Sequence, residues 1–259
     1  MPSPSEISPA RAAALLDDLT AIVASACAKI SALSAARLIP RLKADQSPVT
    51  VADEASEALI IEGVARLLPG VPVISEESAD AKRDRFDGSF LIVDPLDGTR
   101  EFSEGDRSDW AVHVALVAGG ELATGAVALP AQGHTLSTAS PPPAPAASDG
   151  RLRLLVSRTR PSEHAEALAA ALDADLVPMG SAGAKATAVI TGAADVYAHS
   201  GGQYEWDSAA PVAVARASGL HTSRIDGSPL VYNQPDPLLP DLVVCRPEFA
   251  AAVLAVTAG

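Results

Sequence analysis

The chain has 259 residues, room for one large domain or two closely packed halves. Hydrophobic residues make up 48% and aromatics only 3%, so the core of a well-packed globule must be built from Ala, Val, Leu and Ile. The 19 basic and 32 acidic residues leave a net charge of −13, which argues against a general nucleic-acid backbone binder and repels a phosphorylated ligand unless cations intervene.

Ser8-Pro9 reads as an N-cap followed by a proline at the first helical position. Leu15, Leu19, Ile22, Val23, Ile30 and Leu33 then recur at helical spacing, which predicts one long amphipathic helix. Pro40 to Pro48 reads as a loop or turn. Asp53 is placed to cap a second helix that buries Leu59, Ile60, Val64, Leu67 and Leu68 and stops at Pro69-Gly70. Four strands follow: VPVIS, FLIVD, Trp110 to Val117 and Glu121 to Leu129. The last two are joined by a hairpin turn at Ala118-Gly119-Gly120.

Ser140 to Gly150, SPPPAPAASDG, is a proline- and alanine-rich break between two halves, residues 1–139 and 151–259. After it, strand and helix alternate. LRLLVS is a strand, Pro161 to Leu172 a helix, Leu176 to Pro178 a strand, Ala184 to Thr191 a helix, Asp195 to Ala198 a strand and Asp207 to Ser218 a helix. This pattern predicts a smaller α/β half with its sheet covered on both faces. Cys27 and Cys245 are the only cysteines, too few for a disulfide framework. With no signal pattern and no membrane-length apolar run, the expectation is a cytoplasmic protein that does not engage a membrane.

The chemistry concentrates in Phe90 to Phe102, FLIVDPLDGTREF. An apolar strand runs into Asp94 and, across a tight turn, Asp97. Two carboxylates against an apolar core are costly unless a cation or proton neutralises them. Oxygen ligands with no His or Cys beside them suit a hard cation such as Mg²⁺. Gly98-Thr99 then opens a helical turn whose free N–H groups can hold an anion. A cation site beside an anion site is what metal-assisted phosphate hydrolysis requires. Further acids stand at Ser75-Glu76-Glu77 after VPVI, at Asp53 in VTVAD and at Asp207 in WDSAA. Each also has a plainer reading, as a solvated pair or as a helix N-cap.

SEES, DPLDGT and WDSAA, in this order after VTVAD, resemble the inositol monophosphatase superfamily of magnesium-dependent, lithium-sensitive phosphatases. The likeness runs from about Lys43 to Cys245. KADQSPVTVAD, DPLDGTREF, VSRTR, GSAGAKA, EWDSAA and DGSPLVYNQ look most like its CysQ-type 3'(2'),5'-bisphosphate nucleotidases. The resemblance implies a layered α-β-α-β-α sugar-phosphatase fold of the α+β or α/β class. It also implies cleavage of adenosine 3',5'-bisphosphate, a by-product of sulfate activation, to AMP and phosphate. Two to three Mg²⁺ ions are implied, held by Glu76, Asp94, the Leu96 carbonyl, Asp97 and Asp207. Asp53 and Thr99 then polarise the attacking water, which Glu76 also touches, and the Gly98 and Thr99 amides cradle the phosphate.

For the rest of the substrate, Ser157 and Lys185 are expected at the 5'-phosphate, and Ser181 and Glu205 beside the ligand. Arg158 and Arg160 have an even claim to be surface charges, and His199 is more simply structural. Inositol monophosphatases carry a Glu seven residues before the WD aspartate; here that residue is Ser200, which weakens an inositol preference. A broad inositol phosphate or fructose 1,6-bisphosphate phosphatase and a non-catalytic nucleotide sensor stay as alternatives. The expected partner is a small phosphate ester, not a nucleic-acid polymer. The resemblance allows either a monomer or a homodimer.

Overall fold

The computed structural model describes residues 6–34, 40–42, 48–78, 86–146, 150–159, 161 and 163–257. Arg160, and residues 43–47 and 147–149 of the two loops read from the sequence, lie outside them. Ser8 caps α1 (Pro9–Ala14), its Oγ accepting from the Arg11 amide at 3.3 Å. The long helix expected here is interrupted once. Leu15 closes α1 and the chain resumes as α2 (Leu16–Ser34). Leu15, Leu19, Val23 and Ile30 stay buried through the break, so the periodicity reports the buried face and not the continuity of the backbone. Part of the expected loop after Pro40 is instead a short ladder, β1 (Arg41–Leu42) paired with β2 (Pro48–Val49). The N-cap of α3 (Val51–Leu67) is Thr50, not Asp53. Asp53 is the third helical residue and accepts the Thr50 amide in a capping box.

The first sheet runs in the order β3 (Val73–Ser75), β4 (Phe90–Asp97), β5 (Ala111–Ala118), β6 (Glu121–Leu129) and β7 (His134–Ser137). Only β3 and β4 are parallel. Between β4 and β5 lies α4 (Thr99–Glu104). The second half adds β8 (Arg153–Ser157), α5 (Glu163–Ala171), β9 (Asp175–Met179), α6 (Ala182–Ile190), β10 (Val196–Tyr204), α7 (Glu205–Ala217), β11 (His221–Ser223), β12 (Leu238–Cys245) and α8 (Pro247–Thr257). Its strands are ordered β11-β12-β10-β8-β9. β8 is parallel to both neighbours and β12 antiparallel to both of its own. None of the described helices is long and apolar enough to cross a membrane.

Alternation along the strands sorts the core into three apolar layers. Leu91, Val93, Val112 and Val114 face Leu19, Val23, Ile60 and Val64 of α2 and α3. Phe90, Ile92, Ala115 and Val127 face α6 and α7, which turn their other side to Leu155, Tyr197, Leu242 and Val244 of the second sheet. Beyond that sheet, Leu154, Val156, Val196 and Val243 pack on Leu168 of α5 and Val253 of α8. The order is helix, sheet, helix, sheet, helix, the five-layer arrangement expected.

One irregularity of β4 positions the chemistry. Asp94 pairs with His113 across the sheet and Asp97 with Ala111, so three steps on β4 oppose two on β5. In a regular strand residues three apart point to opposite faces. The bulge cancels that inversion and brings Asp94 and Asp97 to the same side.

The central layer is close-packed because its contact residues are small. A Cβ added at Gly125 of β6 would stand 2.8 Å from the Ala213 Cβ and 2.9 Å from the Ala210 carbonyl oxygen, both on α7. Gly125→Val is therefore expected to destabilise the protein by about 1–3 kcal/mol through overpacking. A thermal melt checks this, and an unchanged midpoint would contradict the packing described.

Candidate active site

Asp94 is fully buried. Its Oδ1 accepts the Leu96 amide at 3.0 Å, and its Oδ2 has no hydrogen-bond partner among the described residues. Burial, reinforced by the charges of Glu76, Asp97 and Asp207, pushes its pKa well above the usual carboxylate range. Leaving a buried anionic oxygen bare costs several kcal/mol unless a cation or proton meets it.

Asp97 comes from the same strand but is held by the other half of the chain. Ser181 Oγ and the Gly183 amide donate to its Oδ2, each at 2.6 Å, and the Ala182 amide reaches its Oδ1 at 3.2 Å. Asp97 thus accepts the free amides at the start of α6. Ser181, the N-cap of that helix, is held at φ 46°, a left-handed value unusual for a residue with a side chain.

The sequence reading placed no histidine beside these acids, yet His113 is there. It is buried opposite Asp94, with Nε2 3.4 Å from Asp97 Oδ2. One ligand atom from each of Asp94, Asp97 and His113 falls within 4.8 Å of the others, so an imidazole stands within reach of the two acids. His113 Nδ1 lies 3.1 Å from the Trp206 carbonyl. A carbonyl only accepts, so Nδ1 carries the proton and the neutral ring presents a bare Nε2 to Asp97. Burial favours that neutral ring, with the Asp97 charge opposing. Two lone-pair atoms thus face each other with Asp94 Oδ2 bare beside them, a concentration of acceptors with no donor between them. Gly183 makes room for the ring: a Cβ there would sit 1.9 Å from Nε2. The available signal was a single His in an otherwise apolar strand, AVHVALVA.

Asp207, like Asp53, is the third residue of its helix rather than its N-cap. Its Oδ2 accepts the Tyr204 amide at 2.6 Å. Burial, then the charges of Asp97 and Glu76, raise its pKa well above normal. Asp53 Oδ2 accepts both the amide and the hydroxyl of Thr50 at 2.7 Å, and its Oδ1 accepts the Thr99 hydroxyl at 2.9 Å. Burial raises the Asp53 pKa against those hydrogen bonds. Gly98, left-handed at φ 93°, opens α4 beside this pair.

A cleft of about 320 Å³ collects Glu76, Asp94, Leu96, Asp97, Gly98, Thr99, Ser157, Ser181, Lys185 and Asp207, and Asp53 backs it through Thr99. Lys185 is buried at its wall. Its Nζ donates to the carbonyls of Met179, Gly180 and Ser181 at 3.4, 3.2 and 2.8 Å. Arg158 also lines the cleft and bridges Glu101 and Glu104 at 2.9 and 2.6 Å. Asp109 accepts the Gly180 amide at 2.6 Å and pairs with Arg107.

Glu205, expected beside the ligand, lies elsewhere. It does not reach the cleft, because its carboxylate turns into the interior and accepts the Asn233 and Gln234 amides at 2.8 and 2.7 Å. Tyr204 is likewise turned onto Trp206, stacked at 4.8 Å. His199 hydrogen-bonds the Gly201 carbonyl within its own strand.

The sequence profile of the inositol monophosphatase family matches residues 11–257. A Mycobacterium bovis protein named 3'-phosphoadenosine 5'-phosphate phosphatase is 47% identical over 214 residues, covering 80% of each chain. The 3'(2'),5'-bisphosphate nucleotidase CysQ of Escherichia coli K12 is 34% identical over 202 residues, 73% of this chain and 81% of that protein. The crystal structure of CysQ from Bacteroides thetaiotaomicron superposes with a TM-score of 0.70 at 26% identity, covering 90% of this chain and 96% of that one.

Buried acids with raised pKa values stabilise the fold when protonated. Their contribution is complete below the unfolded value near 3.8 and is lost as pH climbs through the higher folded values. The metal-free protein is therefore expected to melt at falling temperature as pH rises from mild acid to neutrality. Asp94→Asn, which removes one of the charges, is expected to raise the metal-free melting temperature at neutral pH and to shrink the gain produced by MgCl₂. Scanning calorimetry with and without MgCl₂ checks both, and a wild-type melt indifferent to pH and to divalent cation would contradict them.

Proposed function

The chain belongs to the inositol monophosphatase family, and from that premise we propose that it is a magnesium-dependent 3'(2'),5'-bisphosphate nucleotidase. Its substrate is adenosine 3',5'-bisphosphate, and its products are AMP and phosphate. The observation that carries the reading is the bare Asp94 Oδ2 among three further carboxylates, next to the Asp53–Thr99 pair. The two relatives at 47% and 34% identity, named a 3'-phosphoadenosine 5'-phosphate phosphatase and a 3'(2'),5'-bisphosphate nucleotidase, support the choice of substrate.

The donors fit hard cations. Glu76, Asp94, the Leu96 carbonyl, Asp97 and Asp207 would hold two to three Mg²⁺ ions, with His113 Nε2 at the edge of the set. Bound Mg²⁺ lowers the pKa of water and neutralises charge on phosphoryl oxygens. The protein's own part is orientation and proton movement. Thr99 Oγ donates to Asp53 Oδ1 at 2.9 Å, so its lone pairs are free to accept a hydrogen from the attacking water. Burial makes Asp53 more basic than an exposed aspartate and better suited to take that proton through Thr99. The Gly98 and Thr99 amides, at the start of α4, face the phosphoryl oxygens.

On this reading the enzyme clears a by-product of sulfate activation. Cys27 and Cys245 are free and buried, their thiols pushed up to about 12, so they are unreactive and take no part in this chemistry, which we place in the cytoplasm. Inhibition by Li⁺ is part of the same proposal.

In MgCl₂, kcat/KM for adenosine 3',5'-bisphosphate is expected to exceed that for inositol 1-phosphate and fructose 1,6-bisphosphate by about 100-fold, roughly 2.7 kcal/mol of transition-state discrimination. Comparable rates on all three would replace the nucleotidase with a broad phosphatase. Asp97→Ala is expected to cut turnover by roughly 1000-fold. It is also expected to cost about 1–2 kcal/mol of stability, because α6 loses the acceptor of its first amides. Turnover within tenfold of wild type would refute the role of Asp97.

A further inference from the structure

A substrate with two phosphates leaves one of them outside the carboxylate cluster, and that remote dianion needs a cation of its own. Among the described residues, the basic side chains that line the cleft are Arg100, Arg158 and Lys185. Lys185 is only 6% exposed, its ammonium donating to three carbonyls and lying 5.2 Å from the centre of the Tyr197 ring. Those bonds use all three of its donors and fix the turn that carries Ser181 to Asp97. Arg158 lies between two carboxylates, which already balance its charge.

Arg100 is different. It is exposed, follows the Gly98-Thr99 corner directly, and forms no ion pair among the described residues. Its one side-chain hydrogen bond there is a long one, Nη1 to Thr159 Oγ1 at 3.5 Å. That contact carries the guanidinium from α4 across to the loop after β8, on the side of the cleft lined by Ser157 and Thr159. A planar fork with open donors matches two oxygens of a phosphate, which a lysine already shared among carbonyls cannot do.

Resting on the nucleotidase reading, we propose that Arg100 holds the remote phosphate of the substrate and so sets the preference for a bisphosphate over a monophosphate. Lys185, expected from the sequence in that place, is a positioning residue for the turn at Gly180-Ser181.

The test is the ratio of kcat/KM for adenosine 3',5'-bisphosphate to that for adenosine 3'-monophosphate, measured on the wild type, Arg100→Met, Arg100→Lys and Arg158→Met. The wild type is expected to prefer the bisphosphate. In Arg100→Met the ratio falls about 30-fold, mainly through KM for the bisphosphate. Arg100→Lys, which keeps the charge without the fork, restores part of it, and Arg158→Met changes the ratio less than Arg100→Met does. A ratio that survives Arg100→Met, an equal loss on both substrates, or a collapse in Arg158→Met alone overturns the assignment of Arg100 and leaves the nucleotidase standing. A wild type with no preference for the bisphosphate overturns both.

Discussion

Electrostatic repulsion among Glu76, Asp94, Asp97 and Asp207 is the constraint around which the molecule is arranged. Burial and mutual charge push Asp94 and Asp207 toward protonation. A cation-binding site needs them ionised and close together, so the scaffold must hold them against that tendency. It does so with backbone amides. Asp94 takes one from its own turn, Asp97 takes two from the start of α6, and Asp207 takes the amide that opens α7. An amide fixed in a helix end or strand turn cannot rotate away, so each carboxylate is oriented before any ligand arrives.

These ties join distant parts of the chain. Asp97 reaches Ser181 across 84 residues, Asp109 reaches Gly180 across 71 and His113 reaches the Trp206 carbonyl across 93. Strand β4 of the first sheet supplies Asp94 and Asp97, α7 supplies Asp207, and the start of α6 supplies the donors that orient Asp97. The β4 bulge serves this arrangement, since without it Asp94 and Asp97 would stand on opposite faces of the sheet.

Where the sequence was informative, the reason was local. Ser8-Pro9 and the glycines after Ala118 act on their immediate neighbours, and their effects were legible. DPLDGT was legible because its strand, turn and helix start lie within a few residues. The misplaced caps show the limit of that approach. Asp53 and Asp207 look like N-caps in the sequence, but each is the third residue of its helix, where an acid reaches back to the amide of the N-cap residue. Strands β7 and β12 and helix α8 went unread. β7 is four residues long and half exposed, and β12 alternates only at its first residues before becoming wholly buried. Glu205 has its partners 28 and 29 residues away, at the end of DGSPLVYNQ, and nothing in that segment taken alone shows that its amides turn back to Glu205. His113 carried a signal, but its meaning depends on the strand register that puts it opposite Asp94.

The Pro- and Ala-rich stretch after Ser140 looks like a place where the protein could be cut in two. The central apolar layer says otherwise, because it is one body built from both sides of that stretch, with Phe90, Ile92 and Val127 packed on Ala209, Val212 and Leu242. A fragment ending there would expose the face of the first sheet and leave Asp97 without the amides it accepts. A fragment beginning there would keep Asp207 but lack Glu76, Asp94 and Asp97 and the floor beneath α7. The smallest unit of this chain that can be moved or fused as a working module is therefore the whole five-layer stack.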